Sequence, residues 1–435
     1  MAKHYRRHVF TTLLCLSTLP LSSYGHNLER DIKAVGEVQG QSLFIPYGFY
    51  NENTGTAAAA VFANTGYIQP QASSLVNIFA GSNSTYSMFA AFKDWQVPVL
   101  ERLFVDTSLM VSDWGEINSY QDGNSNFIND RAGNIDSDED NYVVANGRDN
   151  YLRMKFNYLF AIGDGEQSVV HEFKTQNGLL VKGYEAGGGE WNPLASGRTF
   201  FSVEPFYRQQ DFSDDFDNRY ENVTSGVKFS LEYDNSDWYK NPTQGSRTKL
   251  SFARDWGQEQ ESTTWSAIQF DYSKYISLGE TDNARQRVLA LNLWTSDVPT
   301  WNSYHEENGE KVYHRAPLFE GSTLGGIDRQ RGYSTNRYHD RAAINYAAEY
   351  RYTPNYNPFT NMPLVNKLHI PYWQVVTFAE VGSVASNWSV TDLHKKMVVS
   401  AGAGVRISVA GLVIRADFAA SEEGNEVQMF FGHNF

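Results

Sequence analysis

Hydrophobic and polar residues alternate with a period of two along most of this chain. In the stretch 226–234, Val227, Phe229, Leu231 and Tyr233 fall on one face, while Lys228, Ser230, Glu232 and Asp234 fall on the other. The pattern recurs. Leu152, Met154, Phe156 and Tyr158 oppose Arg153, Lys155 and Asn157, and Ile344, Tyr346, Ala348 and Tyr350 oppose Asn345, Glu349 and Arg351. Val399, Ala401, Ala403, Val405 and Ile407 oppose Ser400, Gly402, Gly404, Arg406 and Ser408. Successive side chains of a strand point to opposite faces, so each segment predicts a β-strand with one oily and one wet side. A soluble sandwich would show the same alternation, with its oily sides packed inward. Length separates the two readings. These segments run to about ten residues, the reach of a tilted strand across a bilayer, whereas strands in soluble proteins commonly have about five or six. The expected fold class is therefore all-β, a transmembrane antiparallel β-barrel of about 16 strands, its oily faces on lipid and its charged faces enclosing water.

The strands are expected near 56–65, 72–81, 85–93, 99–112, 150–160, 178–184, 199–209, 225–234, 247–256, 265–276, 286–295, 342–352, 371–382, 398–409, 412–420 and 427–435. Short connections at 409–412 and 421–426 imply hairpin neighbours. By this count the acidic stretch 112–150 falls on the periplasmic side. Barrels keep their long loops outside, so an early strand is miscounted. The stretch 294–341 is far longer than a connection needs to be, and long loops are where function concentrates.

Composition supports export and excludes other classes. Lys3, Arg6 and Arg7 precede an apolar run at 9–21, and Ser23-Tyr24-Gly25 offers small residues for cleavage. Residues 1–25 thus read as a signal peptide, because the apolar run is shorter than the roughly 20 residues of a spanning helix. Residues 26–50 read as a short periplasmic segment and 51–435 as the barrel. The single cysteine, Cys15, lies in the leader, so no disulfide or cysteine metal cluster is expected in the exported part. A formal net charge of −14 argues against nucleic-acid binding, which needs clustered Lys and Arg. The 14% aromatic content suits interface girdles.

Three motifs and the chain's end resemble the barrel domain of the bacterial surface-antigen superfamily, the BamA/TamA-type assembly barrels and their two-partner-secretion relatives. The first is Leu324-Gly325-Gly326 followed by Arg331-Gly332-Tyr333, Asp340 and a strand carrying Glu349-Tyr350-Arg351. The second, Phe378-Ala379-Glu380-Val381-Gly382, is similar to the family's Phe-x-Asp-x-Gly, with Glu in place of Asp. The third is Tyr233-Asp234-Asn235 with Pro242-Thr243-Gln244-Gly245, similar to a turn between central strands, and it falls on the periplasmic side by the count above. Val427, Met429, Phe431 and Phe435 are read as alternate positions of a last strand, with Phe431 and Phe435 resembling the C-terminal insertion signal; His433 departs from its apolar pattern. The likeness covers about 223–435.

The resemblance implies a long loop folded back into the lumen with an Arg-Gly-aromatic tip. It also implies insertion or translocation of proteins or lipids at the outer membrane, with a passive pore or structural barrel as the alternative. Outer-membrane lipid and the machinery that inserts barrels are the implied partners. The family's soluble periplasmic (POTRA) domains have no room in 25–50, so a separate periplasmic partner is expected. A guanidinium inside a lumen needs an acceptor, and Glu380 shares the polar face of its segment with Gln374. Arg331 is therefore expected to pair with Glu380 and Tyr333 to pack inside, with Gly332 permitting the turn and Gly382 completing the second motif. Asp340, Arg415 and Asp417 are supporting candidates. The contact reads either as a strut or as a latch that rearranges.

Enzymatic and metal readings find little support. Gly-x-Ser-x-Gly does not occur, and His171-Glu172 lacks the second histidine of a zinc-protease helix. Gly402-x-Gly404 sits in an expected strand, where close packing explains it better than phosphate binding. Asp136, Asp138 and Asp140 begin like a calcium loop, but Asn141 and Gly147 occupy the positions that need Gly and Glu. The expectation is no enzyme, no cofactor and no metal.

Overall fold

A computed structural model describes residues 29–31, 41–51, 54–121, 123–214, 219–258, 262–363, 365–409 and 411–435. The expected leader lies outside them. Sixteen strands form one sheet, each paired antiparallel with the next in chain order. They are β1 Gln41–Asn51, β2 Gly55–Thr65, β3 Ser73–Gly81, β4 Tyr86–Val97, β5 Leu100–Ser119, β6 Val143–Leu159, β7 Arg198–Asp214, β8 Arg219–Asp234, β9 Gly245–Trp256, β10 Thr264–Ser277, β11 Ala284–Asp297, β12 Ala342–Pro354, β13 Trp373–Ala385, β14 Val398–Val409, β15 Leu412–Ala420 and β16 Asn425–Phe431. The sheet's two ends meet. Leu43 and Ala63 cluster with Val409 and Leu412, and Phe431 packs against the cluster that holds Phe49.

Burial is inverted relative to a soluble protein. Leu152 is 47% exposed, Leu231 49% and Val399 53%, whereas Lys228, Glu232, Glu349, Arg351 and Arg406 are buried. The oily faces look outward and the charged faces look into the lumen, the arrangement that lipid outside and polar groups inside impose. No helix among the described residues is long and apolar enough to cross a membrane.

Two strand expectations change. The stretch 178–184 is not a wall strand: only a small hairpin, Thr175–Gln176 with Leu179–Leu180, forms there. It belongs to the connection 160–197. The barrel sheet begins at β1, inside the stretch expected to be a periplasmic segment. β1 escaped the pattern because neither face carries charge: Leu43, Ile45 and Tyr47 alternate with Phe44, Pro46 and Gly48. One strand gained and one lost leaves the count at 16 but reverses the side of the early loops. The connection 120–142 now shares an end with 298–341, and Arg131 pairs with Asp340 at 2.7 Å across them.

The opposite end, where the sheet's first and last strands begin and finish, is also filled. The connection 160–197 passes under the lumen: Arg285 Nη2 donates to the Asn177 carbonyl at 2.9 Å, and Phe173 packs on Trp238 at 5.5 Å. Its His171–Phe173 segment pairs in parallel with Glu29–Asp31.

The last strand does not reach the chain's last residue. β16 stops at Phe431, and Gly432, at φ 88°, turns the chain inward with its N–H on the Val413 carbonyl at 2.7 Å. Phe435 is buried against Tyr275, Val288 and Ala290, so Phe431 and Phe435 are not alternate positions of one strand. Arg351 Nη2 donates to the Phe435 carbonyl at 2.9 Å, and Arg415 Nη1 donates to Asn434 Oδ1 at 2.8 Å. These lumenal hydrogen bonds outweigh continuation of the ladder.

Candidate functional site

The connection 298–341 enters the lumen and is held from both sides. On one wall, Glu320 takes Lys228 of β8 at 2.8 Å and Arg153 of β6, which also binds Glu204 of β7 at 3.0 Å. On the other wall lies the Arg331 tip. Gln330, at φ 55°, turns the backbone, and its side-chain amide lies 2.8 Å from Asn345 of β12.

Arg331 is wholly buried and reaches three strands. Its Nε donates to Glu380 Oε1 of β13 at 2.8 Å and its backbone N–H to Glu380 Oε2 at 2.7 Å. Its Nη1 donates to Glu349 of β12 and to Asp417 of β15, both at 2.9 Å. The guanidinium carbon sits 3.5 Å from the Phe378 ring centroid, a bed suited to its planar, weakly hydrated charge. Arg406 binds Asp417, and Arg351 Nε donates to Glu349 Oε2 at 2.9 Å. Three guanidiniums thus face three carboxylates out of solvent, a balance that buried charge requires.

Alternation explains how the sequence builds this. Phe378, Glu380 and Gly382 share the inner face of β13, giving the second motif a bed, an acceptor and a clearance. A Cβ on Gly382 would lie 2.9 Å from both Asn345 Oδ1 and Gln330 Nε2, and one on Gly402 would meet the Phe378 ring at 2.4 Å. The Gly402-x-Gly404 pair therefore clears room under Arg331. Gly332 works by close approach, not by an unusual turn. It is not among the positive-φ residues, but an added Cβ would lie 2.8 Å from the Ala420 backbone. Tyr333 is buried beside Tyr338, with its hydroxyl 3.3 Å from the Val399 carbonyl.

The pairing of Arg331 with Glu380 is present, and Asp417 joins it. Arg415 sits beside the cluster and donates to the Ile327 carbonyl at 2.8 Å, so it braces the loop. Asp340 lies elsewhere, on Arg131. Glu349, Arg351 and Arg406 are members that the motif reading left unassigned. Their signal was present, since each sits on the wet face of its strand, but which wet residues meet depends on register.

The two loops at that end also meet at His339. Its backbone N–H donates to the Gly133 carbonyl at 2.7 Å. Burial, helped by nearby Arg131, pushes the imidazole down to about 3. An unfolded histidine takes a proton near pH 6.5, so this contact loses stability as pH falls from about 6.5 toward 3 and is unaffected above that range. Hydrogen exchange at residues 131–141 is expected to speed up between pH 7 and pH 5 beyond the intrinsic rate change, and His339→Gln to remove that excess. Equal protection at both pH values would refute the assignment.

Comparison places this architecture. The Omp85 superfamily domain matches residues 194–435. No curated protein matches in sequence. Among solved structures, CdiB from Escherichia coli is similar at TM-score 0.52 and 10% identity, over 90% of this chain and 61% of that one. CdiB from Acinetobacter baumannii gives 0.49 and 10%, over 90% and 59%, and BamA from Haemophilus ducreyi lacking POTRA domains 1-3 gives 0.45 and 11%, over 90% and 69%. This chain therefore spans about three fifths of the length of the CdiB structures. With the family match covering more than half of the residues, including the whole Arg331 cluster, the chain belongs to the Omp85 superfamily and is an outer-membrane β-barrel.

Proposed function

We propose that this barrel inserts or translocates polypeptide at the outer membrane, with the 298–341 connection as a lumenal latch whose tip engages and releases the late strands. The observation that carries this reading is Arg331, bound at once to β12, β13 and β15 from inside a loop. One guanidinium controls how the loop sits against the strands that lead to the sheet's end. The passive-pore alternative is disfavoured because connections occupy both ends of the lumen. The same reading takes the leader as cleaved on export, the barrel assembly machinery as the route of its own insertion, and a separate periplasmic protein as the source of clients. No covalent chemistry is assigned to the barrel.

Gene deletion is expected to deplete particular proteins from the outer-membrane or secreted proteome, and purified protein in liposomes to pass little small solute. Steady solute flux with an unchanged proteome would establish the pore instead. A Gln330→Cys/Asn345→Cys pair separates latch from strut. Oxidation should stop client delivery and reduction should restore it; full delivery in the oxidised state would leave only a strut.

A further inference from the structure

Before it turns into the lumen, the connection 298–341 carries an exposed hairpin, Tyr304–Glu307 paired antiparallel with Glu310–Tyr313. With an even strand number the sheet's first and last strands begin and finish at the periplasmic mouth, so this hairpin lies at the outer one. Its tip is Asn308-Gly309, at φ 53° and 86°. Such a left-handed pair makes the tight two-residue turn that fixes a hairpin's register.

Alternation sorts the side chains. Tyr304, Glu306, Lys311 and Tyr313 take one face, closed by the two tyrosine rings at 5.7 Å and by Lys311 Nζ 4.3 Å over Tyr304. His305, Glu307, Glu310 and Val312 take the other. His314 follows them, its backbone N–H on the Ser303 carbonyl at 2.9 Å. His305 and His314 are thus diagonal neighbours, with ring centroids 5.2 Å apart and His305 Nδ1 3.4 Å from His314 Nε2.

The groups behind each ring decide what the facing nitrogens carry. His314 Nδ1 lies 2.9 Å from the carbonyl of Thr264 on β10. A carbonyl only accepts, so Nδ1 holds the ring proton and Nε2 presents its lone pair to His305. Glu307 Oε2 stands 3.8 Å from His305 Nε2, which favours the proton on that nitrogen and a lone pair on Nδ1. Two lone pairs then face each other, and a cation between them removes the repulsion.

The spacing selects the cation. At 3.4 Å the two nitrogens are far apart for a direct hydrogen bond. Two nitrogens bound tetrahedrally at the Zn–N length of about 2.0–2.1 Å lie about 3.3–3.4 Å apart, whereas neighbouring ligands in a square-planar site lie about 2.9 Å apart. Glu307 also sits directly opposite Glu310, a like-charge pair that a cation on this face would relieve.

We propose that His305 Nδ1 and His314 Nε2 bind one Zn2+ ion at the outer mouth, with Glu307 and Thr264 as positioning groups behind the imidazoles. Among the described residues no set of three His, Cys, Asp or Glu side chains forms a metal group, so water or a donor from outside fills the remaining positions. The nine-residue separation matches no metal motif, and only hairpin register brings the pair together. The site shares no residue with the Arg331 cluster, so it is independent of whether the loop tip moves.

The test uses the tag-free full chain in detergent, stripped with EDTA and titrated with ZnCl2 by calorimetry. One Zn2+ per barrel is expected, and His305→Ala and His314→Gln are each expected to weaken binding by about tenfold or more. Excess Ca2+ should leave the titration unchanged, because calcium takes oxygen ligands. Zn2+ should also slow trypsin cleavage after Lys311 in the parent and in neither variant. Absence of binding by the parent, unchanged affinity in His305→Ala, or equal cleavage of the parent with and without Zn2+ would overturn the site. So would displacement of Zn2+ by Ca2+, which would place the ion on Glu307 and Glu310. If His314→Gln loosens the hairpin, seen as faster cleavage without metal, His305→Ala decides alone because its side chain is 49% exposed.

Discussion

Replacing Arg331 with alanine is expected to destabilise the barrel by about 3–5 kcal/mol, the range for removing one partner of a buried ion pair. Most of that is the cost of leaving Glu380, Glu349 and Asp417 in a closed site with one guanidinium fewer. Arg331→Lys should recover little. An ammonium cannot reproduce the fork that reaches β13 through Nε and β12 and β15 through Nη1 while lying flat on Phe378. Urea unfolding from lipid vesicles measures the loss. A lysine variant as stable as the parent would mean that only the charge matters and not its geometry.

The second large effect is expected at Glu349. It accepts from Arg331 and Arg351, and Arg406 lies 3.7 Å away, so Glu349→Ala leaves three cations against two carboxylates. A loss of about 3–5 kcal/mol is expected here too. Because Arg331 and Glu349 are direct partners, the double variant should lose less than the sum of the two single ones, by about 1–3 kcal/mol. Additive losses would show that the two side chains do not act as a unit. Glu349→Ala also bears on function: it loosens the tip from β12 while Glu380 and Asp417 still hold it. Client delivery that falls in proportion to lost folded protein would favour a strut, and delivery that falls while folded barrel persists would favour a latch.

The departures from expectation have separable physical causes. β1 was hidden because it has no wet face, and a strand apolar on both sides carries no period-two signal. The inturned tail was hidden because Phe431 and Phe435 fit an alternating strand on paper. What ends β16 is a competition won by Arg351 and Arg415, which come from β12 and β15. Asp340 looked like a lumenal acceptor by its place near the tip, yet it pairs with Arg131 in a loop some 200 positions away in sequence.

Alternation is a local property of extended backbone, so the linear chain was enough to settle the all-β class, the outward oily faces and the pairing of Arg331 with Glu380 through a recognisable motif, while the count of 16 held only because one missed strand offset one false one. Which wet residues share one cluster is not local. Glu349, Arg351 and Arg406 meet Arg331 only because strand register and sheet curvature bring three walls around one loop tip. The same holds for the filled mouth, where the connection 160–197 meets β11 and the β8–β9 turn. Those contacts exist only once the sheet has curled and its connections have folded inward, and no pattern within a single strand encodes them.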